Sequence, residues 1–218
     1  CSNKTYTGAE QTACSCTGGT VGGTYKATNY SATEYIASCS PDGNHTAPAN
    51  ATWTMSKKTV TITAKPQTVN YGTAISKTTS DVTVATLGTG DSLSAITLTQ
   101  STTSATTAGT ITPSAATIKK GTTDVTANYS ITYNTGTLTI NKVAATLTCS
   151  NKTFSGSAQT GCSCTGGTVG GTYSATASGT YTASCSPDGN HTAPANKTWT
   201  INCNTTITGT VAVNEPIA

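Results

Sequence analysis

The chain has 218 residues, a net charge of +3, 34% apolar residues and only 9% charged ones, and roughly a quarter of it is threonine. A net charge this small excludes charge-driven disorder, and basic residues without a cluster or stripe exclude nucleic-acid binding, which needs concentrated phosphate neutralisation. No apolar run is long enough for a membrane-spanning helix, while β-branched threonine favours thin sheets with polar outer faces.

The chain opens on a cassette that is written twice. Cys1-Ser2-Asn3-Lys4-Thr5 returns as Cys149-Ser150-Asn151-Lys152-Thr153, and the letters from Cys14 to Tyr25 return from Cys162 to Tyr173. After a slippage of two positions, Ala37–Asn50 returns as Ala183–Asn196, and both copies close on Thr-Trp-Thr at Trp53 and Trp199. A long self-similar period marks a structural unit used more than once. In the first cassette, residues 1–56, strand signals fall at Gln11–Thr17, Thr24–Thr28, Glu34–Ser38 and Ala51–Met55, with Gly18-Gly19, Gly22-Gly23 and Pro41-Asp42-Gly43 as turns. Period-two alternation puts Cys39 on the face of Tyr35, and Cys14 on that of Cys16.

A second segment, 57–142, begins at Lys57-Lys58. Thr59–Ala64 alternates cleanly, Val69–Gly72 turns the chain, and Leu93–Leu98, Tyr129–Tyr133 and Leu138–Ile140 are further strands. No window carries a helical apolar period, so almost no helix is expected. The second cassette fills 143–203. Within it, ahead of Cys149, runs a lead-in, Ala144-Ala145-Thr146-Leu147-Thr148, that has no counterpart ahead of Cys1, which points to a piece of a longer or processed chain. A mature lipoprotein also starts on cysteine, but the repeat already accounts for Cys1. The tail, 204–218, alternates over Thr206–Val213 and reads as a strand.

Lys4–Gln11, Tyr35, Asn44 and Trp53-Thr54-Met55 resemble bacterial immunoglobulin-like repeats, and the second copy resembles them more closely through Gly179–Ala183 and Trp199-Thr200-Ile201. The middle segment looks like the mostly-beta, glycine-rich domain of bacterial surface adhesins, through Val69–Gly72, Gly90–Leu93, Asn128–Tyr133 and Leu138–Lys142. The resemblance implies an all-β chain of three tandem immunoglobulin-like or β-sandwich modules. It also implies a role as a stalk or adhesin fragment on a bacterial surface, or a phage structural protein, with neither catalytic residues nor a fixed ligand. The cassettes depart from these families in being cysteine-rich, so no pairing is carried over.

Nine cysteines in a chain of this size indicate an oxidising compartment. Four cysteines per cassette allow three connectivities. A bond between Cys14 and Cys16 is disfavoured, because side chains two apart on a strand run parallel. In an immunoglobulin-like sandwich the second strand faces the penultimate one, which favours Cys16–Cys39 with Cys1–Cys14, and Cys164–Cys185 with Cys149–Cys162. Zinc is the rival reading for Cys1, Cys14, Cys16 and Cys39, but structural zinc prefers Cys-x-x-Cys knuckles.

His45 and His191 lie beside Asp42 and Asp188 in Pro-Asp-Gly-Asn turns, where a hydrolytic triad would lack a pocket. Asp81, Asp91 and Asp124 invite calcium or a Lys–Asn crosslink, yet they do not cluster as a calcium loop requires. The sequence therefore reads as non-enzymatic and free of cofactor or metal. The expected role is an extracellular spacer or filament subunit on a bacterial cell surface or virion. Its expected partners are further copies of itself or neighbouring domains of a longer chain. Cys203, Ile207, Val211 and Val213 are candidate intermolecular contacts, the tail adding a strand to another copy. The alternative is a module that binds carbohydrate or a host surface, for which Tyr25, Tyr30 and Tyr35 would have to form an exposed platform.

Overall fold

A computed structural model describes residues 1–203; Ile207, Val211 and Val213 lie outside the described residues. The described chain is nearly all β, with two single-turn 3-10 segments, Thr79–Asp81 and Thr126–Asn128. By contact it divides into two compact units, Cys1–Ile140 and the chain from Asn141 on.

In the first unit the cassette is built on Gly19–Gly23, antiparallel to Tyr35–Pro41, which pairs in turn with Ala51–Trp53. Alternation along Tyr35–Pro41 turns Ala37 inward to 3% exposure. Trp53, 1% exposed, lies 4.7 Å from the Tyr35 ring and donates its indole N–H to the Thr24 carbonyl at 2.7 Å. Glycine is required at position 19, where a Cβ would come within 2.2 Å of the Ser40 carbonyl. The repeated letters at the cassette's start have a mechanical reason. The Asn3 side chain accepts a hydrogen bond from the Thr54 N–H, and Gln11 donates to the Thr5 carbonyl. Asn151 and Gln159 do the same for Thr200 and Thr153 in the second copy. These bonds position the short parallel pairs Lys4–Thr5 with Met55–Ser56 and Lys152–Thr153 with Ile201–Asn202.

The middle segment follows directly. Lys58–Ala64 lies between antiparallel Val82–Val84 and parallel Tyr129–Asn134. A second sheet runs in the order Asp91–Gln100, Thr106–Lys120, Gly136–Asn141, Gln67–Asn70. Its alternating apolar residues share one buried cluster with the first sheet, including Ile62, Ala64, Leu98, Ile111 and Leu138. Burial on one face of each sheet is what the period-two pattern of these strands encodes.

Two differences from the expected elements are instructive. The longest strand, Thr106–Lys120, was not expected, because Gly109, Pro113 and three alanines blur its pattern. Its register places Pro113 beyond the last pair with Gly136–Asn141, Ile111 opposite Gly136, so the missing N–H removes no bond on that side. Ala115 takes φ 49°, where the register with Asp91–Gln100 shifts, as a β-bulge does. The strand expected over Gln11–Thr17 stops at Thr12 in the first cassette, whereas in the second Gln159–Thr160 and Cys162–Thr165 are both strands.

Candidate functional site: the junction of the first cassette with the middle segment

The eight cassette cysteines form four disulfides: Cys1–Cys14, Cys16–Cys39, Cys149–Cys162 and Cys164–Cys185. These pairs place the chain's maturation in an oxidising compartment. Cys203 carries a free, exposed thiol. Among the described residues no three His, Cys, Asp or Glu side chains come together as a metal site would need.

The acids and histidines brace turns. His45 Nδ1 lies 2.6 Å from Asp42 Oδ1, and His191 repeats this with Asp188. The histidine contact, helped by a backbone N–H, holds both carboxyls below their ordinary value. Asp81 accepts from Ser76 and Thr78, and Asp124 accepts from the Thr126 N–H.

Asp91 does something different. Both the Tyr6 hydroxyl, at 2.8 Å, and the Tyr129 hydroxyl, at 2.5 Å, donate to its Oδ2. Tyr6 belongs to the cassette and is 1% exposed; Tyr129 belongs to the middle segment and is 4% exposed, and their rings meet edge to face at 5.4 Å. The Tyr129 hydroxyl also accepts the Gly88 N–H at 2.7 Å. Asp91 Oδ1 is buried with no hydrogen-bond partner. Around this node Val60, Ile118 and Val125 complete an apolar cluster with the two tyrosines.

Further bonds continue the contact. The Thr89 N–H donates to the Thr7 carbonyl at 2.7 Å, and the Lys120 ammonium donates to the Gly8 carbonyl. Gly8 sits at φ +85°, and a Cβ there would come within 2.5 Å of the Thr89 nitrogen, so this approach requires glycine. At the other side, buried Asn128 accepts the Tyr30 N–H at 2.8 Å and donates to the Asn29 side chain at 3.1 Å. The Lys57 ammonium lies 4.7 Å from the centre of the Tyr30 ring, a cation–π distance.

Burial and the hydrogen bond to Asp91 push the Tyr6 hydroxyl up to about 12, and the same causes raise that of Tyr129. Since the folded value lies above the unfolded one, the stabilisation is complete below pH 10 and is lost as pH rises toward 12. Urea unfolding of the first unit, measured from pH 8 to pH 11, should therefore weaken more steeply for the wild type than for Tyr6→Phe. Parallel curves would show that the tyrosine hydroxyl is not held by Asp91.

The three tyrosines singled out by sequence do not form a platform. Tyr25 and Tyr35 pack against the cassette core, and Tyr30 lies under Lys57. What sequence reading missed is the junction itself, although the signal was present. Where two nearly identical paragraphs diverge, Tyr6 stands for Phe154, and Asn29–Glu34 replaces the shorter Ala177–Thr180. Those are the cassette residues that bond Asp91 and Asn128. Phe154, in the second unit, is 47% exposed, and the twin glycine Gly156 meets nothing within 4 Å. No protein-family model matches this chain, and no curated protein matches it.

Proposed function

We propose that this chain is an extracellular spacer or filament subunit of a bacterial surface, of the kind found in adhesin stalks or pilus-like fibres, built from tandem immunoglobulin-like and adhesin-type modules. The observation that carries the reading is the Tyr6–Asp91–Tyr129 node, which joins two successive modules through a buried, hydrogen-bonded contact. A flexible tether would separate modules with polar linker, whereas here Met55–Ser56 passes into Lys58–Ala64 across the single residue Lys57. Disulfides at both cassettes suit a load-bearing segment, because a crosslinked loop cannot be pulled out.

Single-molecule extension tests this. Pulled from its ends, the oxidised chain should open the first cassette together with the middle segment in one event. Reduction should then add roughly 110–130 Å of length per cassette, at about 3.3–3.6 Å per residue of the Cys1–Cys14 and Cys16–Cys39 loops and of the Cys149–Cys162 and Cys164–Cys185 loops. An extension trace that reduction leaves unchanged would overturn the mechanical reading.

A second reading, a module that binds carbohydrate or a host surface, is favoured by one observation. A hollow of about 510 Å³ is lined by Tyr71, Lys77, Gln100 and Thr103, an aromatic face with amide and ammonium donors of the type that grips sugars. Saccharide binding abolished by Tyr71→Ala would favour it over the spacer.

A further inference from the structure

Two loops of the middle segment are held in place by their own side chains. After the strand Gln67–Asn70, the Thr73 N–H donates to the Asn70 carbonyl at 2.9 Å, and Gly72 carries the turn at φ +83°, where other residues are strained. The Gln67 side chain then grips Ser76 twice, accepting its N–H at 2.8 Å and donating to its carbonyl at 2.9 Å. Between these ties Ile75 is 5% exposed, and Tyr71 packs against the same core cluster. In the second loop, the Gln100 side chain donates to the Thr102 carbonyl at 2.9 Å, and the Ser104 N–H donates to the Thr102 hydroxyl at 3.0 Å.

Both loops line the hollow of about 510 Å³, through Tyr71, Thr73, Lys77, Gln100 and Thr103. That volume falls in the range of about 300–1,000 Å³ typical of small-ligand sites. Its lining is charged at one point only, Lys77. The hydroxyls of Ser76 and Thr78, on either side of Lys77, both donate to the Asp81 carboxylate at 2.7 Å. Thr78 has extended backbone, φ −104° and ψ 167°, and successive side chains of an extended chain point opposite ways. Lys77 is therefore turned away from that carboxylate, and among the described residues its ammonium forms no ion pair. The hollow is also remote from the junction with the first cassette. Asp91 begins and Gln100 ends the same strand, which separates the two places by about 30 Å.

We propose that this hollow takes an acidic sugar, a pyranose whose carboxylate meets the Lys77 ammonium while its ring lies on Tyr71. The hydroxyls of the sugar exchange hydrogen bonds with Thr73, Gln100 and Thr103, whose side chains both donate and accept. A neutral sugar leaves the ammonium to water, whereas a carboxylate gains a charge-assisted hydrogen bond. Lys77 is exposed, so the gain is that of a surface ion pair and amounts to about fivefold in affinity, the upper end for such pairs. Uronic and sialic acids both carry a carboxylate on a pyranose ring. Naming the acidic class rests on the saccharide reading of this hollow and is independent of the spacer reading.

The test is titration of the full chain, followed through its amide NMR resonances, with methyl glucuronide, methyl glucoside and the methyl glycoside of N-acetylneuraminic acid, each up to about 20 mM. The first two share a ring and differ in the carboxylate. The glucuronide should shift the amides of 71–77 and 100–103, leave that of Tyr129 at the junction unmoved, and bind about fivefold more tightly than the glucoside. Lys77→Met should level the two sugars and Lys77→Arg should keep the preference; both changes fall on an exposed side chain, so the fold is spared. Tighter binding of the sialoside than of the glucuronide would support the site and name sialic acid as its source, and the reverse order would support it with a uronic acid. Equal affinity for glucuronide and glucoside, a preference that survives in Lys77→Met, or the same shifts from acetate alone would overturn the acidic assignment and leave the saccharide reading standing. Amides that no sugar moves would overturn both.

Discussion

Replacing Cys1, Cys14, Cys16 and Cys39 together by alanine is expected to unfold the first cassette while leaving the second folded. The bonds close sequence separations of 13 and 23 residues, for which chain entropy predicts about 3 kcal/mol each. A loss of about 6 kcal/mol is comparable to the whole stability of a small domain, about 5–15 kcal/mol. The apolar core cannot replace it. Ala13, Cys14, Ala37, Trp53 and Met55 are the buried residues of this cassette's cluster, whereas the second adds Ala145 and Leu147 from its lead-in. Hydrogen exchange read by mass spectrometry would follow each region. Protection should vanish over Tyr35–Pro41 and fall at Tyr129–Asn134, whose apolar cluster includes Tyr6, and stay unchanged over Gly179–Pro187. The matching variant of Cys149, Cys162, Cys164 and Cys185 should be the milder of the two. Equal losses in both cassettes would show that the lead-in strand adds no stability.

Asp91→Ala should cost the first unit about 2–4 kcal/mol, since two buried hydroxyls lose their acceptor and each unsatisfied group costs about 1–3 kcal/mol. The Tyr129 hydroxyl keeps the Gly88 N–H, so the heavier loss falls on Tyr6. Asp91→Asn should cost less. It keeps an acceptor for the tyrosines and removes the carboxylate, whose buried second oxygen has no partner. Denaturant unfolding of the first unit orders the three proteins as wild type, asparagine, alanine. A single transition that splits in two for Asp91→Ala would show that this carboxylate couples the cassette to the middle segment. An alanine variant as stable as wild type would remove the node from the argument.

Much of this architecture was readable in advance because its causes are local. Alternation along Thr59–Ala64 requires one buried face, so Val60, Ile62 and Ala64 become core wherever the strand lies. The Asn3 and Gln11 side chains bond backbone that the cassette itself brings near, so their letters recur with it. Thr106–Lys120 escaped notice because glycine, proline and a bulge break its alternation, and only its neighbouring strands make it continuous.

An all-β chain, two disulfide-rich cassettes and the segment between them were legible in the letters alone, since repeats, alternation and cysteine counts need no partner to be read. Tertiary structure alone decided the junction, because its bonds join residues 85 and 98 positions apart and no local pattern announces them. It also decided that Cys-Ser-Cys-Thr is a strand at 162–165 and not at 14–17. Identical letters part ways there because a strand is a relation between two backbones, and one copy has a neighbour to bond where the other has an open edge.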